Sequence, residues 1–386
     1  MAMKRGYKKI VSVVLVLLML SAVALAGCTQ PQQGANNQQP NAPSSPNAPS
    51  SPNAPSSPNA PAGEPERVSI NLRLAHFWPM AHVAESHFAQ GWGNAISEAT
   101  DGQITVTTYP GETLAKADEI YDAVVNGIAD VGASCFSYTR GRFPLVECFE
   151  LPGVVYRTSA AASMTAWEGI KQLNPAEVQD TKLLMVITTG PGVLATKKPA
   201  RDLADLKGMQ IRATGLSAKT LELLGAIPVA MPQSDAYEAL QRGVVDGNLT
   251  PSETLEGWRH AEVTSYITNA PFLYNTLFFF TINLKVWDSI PAHLQEIVLE
   301  ATEKFYMETA IGLWDMQNAS GLNYAVNDQG LEVINLTPDE QDRWMALITP
   351  MHDAYVQSMA EKGLDGAGAL ALTKELAAKY DAIYSP

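Results

Sequence analysis

The chain is poor in cysteine and in positive charge, and both shortages exclude classes of function. Its 386 residues contain three cysteines, too few for a fold framed by disulfides. It holds 26 lysines and arginines against 40 acidic residues, a formal net charge of −14. So acidic a surface argues against nucleic acid or an anionic membrane face as a partner. An anionic ligand would therefore need cations of its own in a pocket.

Motifs of common enzyme classes are also missing from the sequence. There is no Gly-x-Ser-x-Gly nucleophile elbow, no His-Glu-x-x-His zinc motif and no glycine-rich phosphate loop. His76, His82 and His87 are six and five residues apart, which does not place them on one helical face at i, i+4. We therefore predict no catalytic residue, no metal site and no cofactor.

The first 27 residues are typical of a secretory signal peptide. Four basic residues between positions 4 and 9 precede an apolar run from Ile10 to Leu20, which ends in small residues. The run is shorter than the roughly 20 residues of a membrane-spanning helix. The tetrad Leu-Ala-Gly-Cys at 25–28 resembles the bacterial lipobox, which implies cleavage before Cys28 and a lipid on its sulfur. An ordinary signal peptide with an incidental cysteine is the alternative.

Residues 28–66 are predicted to form a disordered tether. The hexapeptide Asn-Ala-Pro-Ser-Ser-Pro occurs three times between Asn41 and Pro58, and bulky apolar residues are scarce. Proline fixes φ and removes a backbone donor, so this stretch cannot build helix or sheet. As a polyproline II-like segment of about 3.1 Å per residue, it could hold a domain tens of ångströms from a membrane.

Beyond residue 66, segments typical of strands and helices alternate. Residues 68–75 and 104–109 have the pattern of strands, whereas 81–100, 291–317 and 338–362 have that of helices. Such alternation predicts an α/β fold with mixed, mostly parallel sheets. About 320 residues suffice for two such units, so we expect two lobes around a cleft, with the ligand at the carboxyl ends of strands.

Several motifs in a fixed order carry a family resemblance. The chain has Tyr-Pro-Gly at 109–111, Asn-Gly-Ile-Ala-Asp-Val-Gly at 126–132 and Leu-Pro-Gly at 151–153. The segment Asp-Leu-Ala-Asp-Leu-Lys-Gly-Met-Gln-Ile-Arg follows at 202–212. After it come Leu-Leu-Gly-Ala-Ile-Pro-Val-Ala-Met-Pro at 223–232 and Tyr-Glu-Ala-Leu-Gln-Arg-Gly-Val-Val-Asp-Gly at 237–247. From about residue 68 onward the chain resembles the DctP-like solute-binding proteins of TRAP (tripartite ATP-independent periplasmic) transporters.

The resemblance implies a two-lobed fold like that of periplasmic binding proteins, with a long helix spanning both lobes. We expect lobe I to comprise residues 67–190 and about 277–317, and lobe II residues 191–276 and about 318–386. The implied function is an extracytoplasmic receptor that captures a small organic acid and delivers it to TRAP membrane subunits. A binding protein of another uptake system, a sensor, or an exported enzyme acting on an organic acid are the alternatives.

Arg212 is the main candidate for ligand binding. In the strand 208–213 it shares a face with Gln210 and lies at the carboxyl end. A guanidinium has five donors in a planar fork that matches a carboxylate bidentately. In TRAP binding proteins an arginine at this motif position holds the ligand carboxylate, and the resemblance implies the same role for Arg212.

Two departures from the family pattern leave the ligand open. Residues 188–194 contain no cation, although some family members carry a second arginine there, and Thr250 occupies a position where many have asparagine. A dicarboxylate, an aromatic monocarboxylate, a sugar acid and a sulfonate all remain candidates. Aromatic residues after the first and third strands favour an aromatic or otherwise partly apolar acid. The remaining candidate contacts are His76, Phe77, Trp78, Lys116, Phe136, Tyr138, Gln233, Thr250, Trp258 and Tyr274.

Cys135 and Cys148 are the two cysteines beyond the signal region. In an exported protein such a pair is compatible with a disulfide. Nothing in their spacing requires one, and two buried thiols are the interpretation that we favour.

Overall fold

A computed structural model describes residues 67–385. The predicted signal peptide, the predicted lipidation site Cys28 and the predicted tether lie outside these residues. Within the described part, the chain forms eleven strands in two separate sheets. They are β1 (Ile70–His76), β2 (Ile104–Tyr109), β3 (Val131–Cys135), β4 (Thr181–Thr188), β5 (Gly192–Thr196), β6 (Gln210–Arg212), β7 (Ile227–Val229), β8 (Gly247–Pro251), β9 (Tyr266–Asn269), β10 (Leu277–Asn283) and β11 (Glu332–Asn335).

Thirteen α-helices surround the sheets in the described part of the chain. They are α1 (Gln90–Ala99), α2 (Ile120–Val125), α3 (Ser159–Leu173), α4 (Leu203–Leu206), α5 (Gly215–Leu223), α6 (Gln233–Arg242), α7 (Thr254–Gly257), α8 (Leu284–Ser289), α9 (Ala292–Phe305), α10 (Ile311–Asn323), α11 (Pro338–Ile348), α12 (Met351–Glu361) and α13 (Gly366–Tyr384).

Each sheet defines a lobe and mixes parallel with antiparallel strands. The first lobe has the order β2-β1-β3-β10-β4, and the second has β11-β9-β5-β8-β6-β7. In the first lobe β1 pairs in parallel with β2 and β3, whereas β10 runs antiparallel to both neighbours. The chain crosses to the second lobe after β4, returns for β10, and crosses again near β11. The predicted α/β fold with two lobes is confirmed.

In each lobe an aspartate carboxylate accepts a hydrogen bond from the backbone of a neighbouring strand. In the first, the Asp130 carboxylate accepts hydrogen bonds from the backbone N–H and the guanidinium of Arg73 in β1. In the second, Asp246 accepts from the backbone N–H of Gln210 in β6 at 3.0 Å. Each aspartate follows a short helix ended by a glycine at φ 75°, Gly127 and Gly243. These residues hold the neighbouring strands in register, so that their carboxyl ends face the space between the lobes.

A long helical segment spans both lobes, as expected, and it is longer than the predicted 291–317. Helices α9 and α10 are joined by a π-helical turn (Tyr306–Ala310), and a second π-helical turn (Tyr324–Asp328) extends α10. In the first lobe Trp92 of α1 donates to Thr302 of α9. In the second lobe Asn318 of α10 accepts from the backbone N–H of Glu253. One continuous element therefore contacts both sides of the cleft.

The C-terminal helices differ from the expected division into lobes. The segment 338–362 was expected to be one helix of the second lobe, but Pro350 separates α11 from α12 because proline lacks the N–H that a continuous helix needs. Helix α11 packs on the second lobe through Trp344, whereas α12 and α13 bury Met359, Leu370 and Ala377 in the core of the first. Met351 at the start of α12 still packs in the second-lobe core, and the rest of α12 and α13 belongs with the first lobe.

Gly321 of α10 lies against the backbone that follows β8. A Cβ at this position would stand 2.2 Å from the carbonyl oxygen of Ser252 and 3.0 Å from Cα of Glu253. Backbone atoms cannot rotate away as a side chain could. The absence of a side chain at Gly321 therefore allows the long helical segment to approach the second lobe closely.

We predict that Gly321→Ala lowers the free energy of unfolding by about 1–3 kcal/mol, since a methyl group forced into a packed contact displaces the backbone. Urea denaturation measures the change. Gly312→Ala in the same helix is the matched control, because a Cβ there meets nothing within 4 Å. It should gain about 0.5–1 kcal/mol from helix propensity. Equal effects of the two substitutions would contradict the close approach.

Candidate ligand-binding site

A cavity lies between the lobes at the carboxyl ends of β1, β3, β6 and β8. Together with the solvent space at its mouth, its atom-free volume is about 310 Å³. Fifteen residues line it: Phe77, Trp78, Cys135, Tyr138, Thr189, Arg212, Thr214, Gln233, Pro251, Glu253, Thr254, Trp258, Tyr274, Thr276 and Phe278. Seven of these were candidates from the sequence.

Arg212 lines the cavity from the end of β6 and is almost completely buried, with 2% of its surface exposed. Its Nε donates to the carbonyl oxygen of Met231 at 2.9 Å. One terminal nitrogen lies 3.5 Å from the amide oxygen of Asn248, and the other lies 3.4 Å from the phenol oxygen of Tyr138. Across residues 67–385, no carboxylate comes within 4 Å of this guanidinium. One N–H on each terminal nitrogen therefore remains for another acceptor.

Neutral polar groups surround Arg212 on the side away from the cavity. Asn248 and Gln233 each contact a ring nitrogen of the buried His260, at 3.2 and 3.1 Å. Burial, and secondarily the charge of Arg212, lower the pKa of His260 to about 3. The imidazole is thus neutral at physiological pH and places no second charge beside Arg212.

Tyr138 connects the two lobes at the cavity wall. It belongs to the first lobe, and its phenol oxygen accepts a hydrogen bond of 3.0 Å from the backbone N–H of Gln233 in the second. Burial raises the pKa of Tyr138 well above its ordinary value, so the phenol stays protonated. Because its oxygen already accepts from Gln233 and faces Arg212, its own proton is available to an acceptor in the cavity.

Aromatic rings form one wall of the cavity. The rings of Phe77 and Trp258 stack at 6.0 Å with an interplanar angle of 18°. Phe77 also meets the edge of Tyr138 at 5.6 Å, and Trp78 packs on Phe278 at 5.3 Å. A ligand with a flat, apolar part could pack on this wall while its polar group reaches Arg212.

Glu253 is a cavity residue that the sequence analysis did not identify. Its carboxylate lies 3.1 Å from Nε2 of His82, so that a residue of the second lobe contacts one of the first. The other cavity residues that were missed are threonines, a proline and Phe278, and Cys135 was considered only as a thiol. Such residues are common in strands and turns, and the sequence around them carries no motif that marks a site.

Four candidates from the sequence do not line the cavity, and each has a physical reason. His76 is buried against Glu85, with Nε2 and Oε2 2.6 Å apart. Phe136 packs on Phe143 and Phe279 in the first lobe core. Thr250 donates to the hydroxyl of Thr254. Lys116 is exposed in the segment that precedes α2, which begins at Ile120.

Cys135 and Cys148 are both buried free thiols. Burial raises the pKa of Cys148 to about 12 and raises that of Cys135 as well. Neither thiol is therefore ionised near neutral pH.

Among residues 67–385, no group of three or more His, Cys, Asp or Glu side chains is arranged to hold a metal ion. None of the helices described is both long and apolar enough to cross a bilayer.

The family model "Bacterial extracellular solute-binding protein, family 7" (DctP) matches residues 74–358. A C4-dicarboxylate-binding periplasmic protein DctP of Rhodobacter capsulatus is 29% identical over 317 residues, which cover 78% of this chain and 90% of that protein. A TRAP solute-binding protein from a marine metagenome, specific for aromatic acids and solved with metahydroxyphenylacetate, has a TM-score of 0.77. It is 29% identical, and the match covers 81% of this chain and all of that one.

A second solved relative is a TRAP solute-binding protein of Rhodoferax ferrireducens with copurified benzoate. It has a TM-score of 0.76 at 26% identity, covering 82% of this chain and all of that one. The family model spans well over half of the chain. The chain belongs to the DctP family of extracellular solute-binding proteins and is a TRAP solute-binding protein.

Proposed function

We propose that this protein is an extracytoplasmic receptor that holds a small organic acid by its carboxylate on Arg212 and delivers it to TRAP membrane subunits. The observation that carries the proposal is a fully buried guanidinium with no carboxylate partner in the described chain. A buried charge without a counter-ion is costly, and a ligand carboxylate would supply that counter-ion.

The geometry of the free donors favours an end-on pairing. Nε of Arg212 is occupied by Met231, so its two terminal nitrogens face the ligand together. The phenol of Tyr138 lies beside them and can donate a third hydrogen bond to the same carboxylate. Charge-assisted hydrogen bonds of this kind are about twice as strong as neutral ones.

The walls of the cavity favour an aromatic or otherwise apolar monocarboxylate over a dicarboxylate. Arg212 is the only lysine or arginine among the fifteen lining residues, so a second carboxylate would have no cation to meet. The Phe77–Trp258 stack offers a flat apolar surface. The solved relatives that bind an aromatic acid or benzoate support this choice.

Entry of the ligand requires the lobes to separate. Contacts that bridge the cleft around the cavity include the bond from the backbone of Gln233 to Tyr138, the bond from Ser234 to Glu112, and the pair of His82 with Glu253. These contacts would break as the lobes separate in a hinge motion. We infer that the ligand is bound and released without chemical turnover. The lining residues include Arg212, which can hold a carboxylate, but no activated nucleophile.

We further propose that a lipid on Cys28 anchors the protein outside the cytoplasm and that residues 29–66 tether the receptor near its membrane partners. The lipobox-like tetrad and the proline-rich repeats support this part of the proposal.

We predict that Arg212→Met abolishes the binding of benzoate, with an affinity loss of at least about 100-fold, because a buried charge partner is removed. Isothermal titration calorimetry measures the affinity. In the absence of ligand, the free energy of unfolding should not fall, since the substitution removes an uncompensated buried charge.

The matched control is Arg242→Met, at an exposed arginine paired with Glu238 in α6. It should bind benzoate like the wild type. Retention of the wild-type affinity in Arg212→Met would refute the assignment of the carboxylate site.

The pH dependence of binding should follow Glu150. Burial raises the pKa of this carboxyl to about 8, and its Oε1 accepts from the backbone N–H of Leu277 beside the cavity. Below pH 8 the group is neutral; above pH 8 it becomes an anion that repels a bound carboxylate. Benzoate affinity should therefore be constant from pH 6 to 7 and fall about fivefold by pH 9.

Glu150→Gln keeps the acceptor for Leu277 but cannot ionise, so its affinity should stay constant to pH 9. Folding stability should also fall with rising pH, but over a lower window. The unfolded carboxyl ionises near its ordinary pKa of 4.5 while the folded one stays protonated to about 8, so the stability from this group is full below pH 4.5, declines up to about pH 8 and is constant above it. An identical alkaline decline in both proteins would exclude Glu150 as its source.

For the anchor, we predict that Cys28→Ser moves the protein from the membrane fraction to the soluble fraction of an expressing bacterium. Fractionation followed by immunoblotting measures the distribution, and Cys148→Ser serves as the control. A variant that stays with the membrane to the same extent as the wild type would argue against lipidation.

A further inference from the structure

A chain of buried polar groups leads away from the guanidinium of Arg212. One terminal nitrogen of Arg212 lies 3.5 Å from one end of the Asn248 amide, whose other end lies 3.2 Å from Nδ1 of His260. Nε2 of His260 lies 3.1 Å from one end of the Gln233 amide, and the second end of that amide returns to Asn248 at 3.4 Å. The side chains of Asn248, His260 and Gln233 have no other hydrogen-bond partners among residues 67–385.

Arg212 sets the direction of the hydrogen bonds in this chain. An amide can present either its oxygen or its NH₂ group to a neighbour, and the choice follows from the partners. A guanidinium only donates, so Asn248 faces Arg212 with its oxygen and His260 with its NH₂ group. Nδ1 of His260 therefore accepts. Because burial lowers the pKa of His260 to about 3, the neutral ring carries one proton, and that proton lies on Nε2.

The proton on Nε2 in turn fixes Gln233, whose amide oxygen accepts it. The NH₂ group of Gln233 then faces the NH₂ group of Asn248 at 3.4 Å, which is the one contact of the four left unsatisfied.

The opposite tautomer leaves two of the four contacts unsatisfied. With the proton on Nδ1, Asn248 would face the ring with its oxygen and would turn its NH₂ group to the charged Arg212. The same oxygen would also meet the oxygen of Gln233. The first arrangement is therefore the stable one, in which Arg212 donates to Asn248, Asn248 donates to His260 and His260 donates to Gln233.

We propose that His260 is a positioning residue for the carboxylate site: its ring, protonated at Nε2, holds the oxygen of Asn248 on Arg212 and so fixes the guanidinium that receives the ligand. This inference rests on the proposed function and assigns a role to a residue that does not line the cavity. Hydrogen bonds that run in one direction polarise one another, so the chain stabilises the charge of Arg212 with neutral groups. A guanidinium already held in place also loses less freedom when a carboxylate binds.

The tautomer of His260 can be measured on the purified, unliganded chain by NMR of protein labelled with ¹⁵N-histidine. The chain has six histidines, and the signals missing from His260→Gln identify this one. We expect a proton-bearing Nε2 and a bare Nδ1 from pH 6 to 8, because burial keeps the ring neutral. A ring protonated at Nδ1 would reverse the direction of the chain and overturn the proposal.

Two substitutions separate the hydrogen bonds of His260 from its volume. His260→Phe keeps a ring but can neither accept from Asn248 nor donate to Gln233. In isothermal titration calorimetry it should bind benzoate about tenfold more weakly, the loss expected for a hydrogen bond that orients a charged group. His260→Gln restores one acceptor and one donor, so its affinity should return to within about threefold of the wild type. His293→Phe, at an exposed histidine of α9, is the matched control and should bind benzoate as the wild type does.

A double-mutant cycle tests whether His260 acts through Asn248. Asn248→Ala removes the acceptor that faces Arg212 and should weaken benzoate binding about thirtyfold. Without Asn248 the ring has no route to Arg212, so adding His260→Phe should cost less than about a further twofold. A histidine that acted only on the stability of the fold would instead multiply the two losses.

The outcomes separate this inference from the proposed function. Wild-type affinity in His260→Phe, no recovery in His260→Gln, or losses that multiply in the double variant would overturn the positioning role and leave Arg212 as the carboxylate site. Should His260→Phe fail to fold, a proton on Nδ1 or a loss of more than about tenfold in His260→Gln would overturn the role. Failure of the wild type to bind benzoate or any other organic acid would overturn the proposed function and this role together.

Discussion

The uncompensated charge of Arg212 is the constraint on which the rest of the site depends. A guanidinium that is 2% exposed needs hydrogen-bond partners to remain buried. The protein supplies only neutral ones: a backbone carbonyl from Met231, an amide from Asn248 and a phenol from Tyr138. An acid in any of these places would neutralise the site internally and remove the attraction for a ligand. His260 beside these groups is also neutral, because burial lowers its pKa to about 3, and it adds no second charge next to Arg212.

The positions of Arg212 and Tyr138 in the fold link the closure of the two lobes to the ligand. Arg212 lies on the second lobe, whereas Tyr138, which faces it, lies on the first. A carboxylate that contacts both therefore binds the closed arrangement more tightly than the open one, and only such differential binding can shift a conformational equilibrium. The long helical segment passes both lobes, and the bare backbone of Gly321 allows it to contact the strand end from which Glu253 projects.

Residues fixed by local pattern could be predicted from the sequence, whereas residues fixed by contacts across the cleft could not. Arg212 was identified because strand periodicity and the motif at 202–212 both place it at a strand end. Phe77 and Trp78 follow β1 and line the cavity, but His76 just before them turns to Glu85, and no periodicity distinguishes these directions. Glu253 was missed because its partner His82 is 171 residues away.

The same distinction explains why the C-terminal helices were assigned to the wrong lobe. Their amphipathic pattern shows that one face is buried but not against which sheet. Met359 and Leu370 could cover either core, and their place in the first-lobe core is decided by tertiary packing, which a helical pattern does not specify.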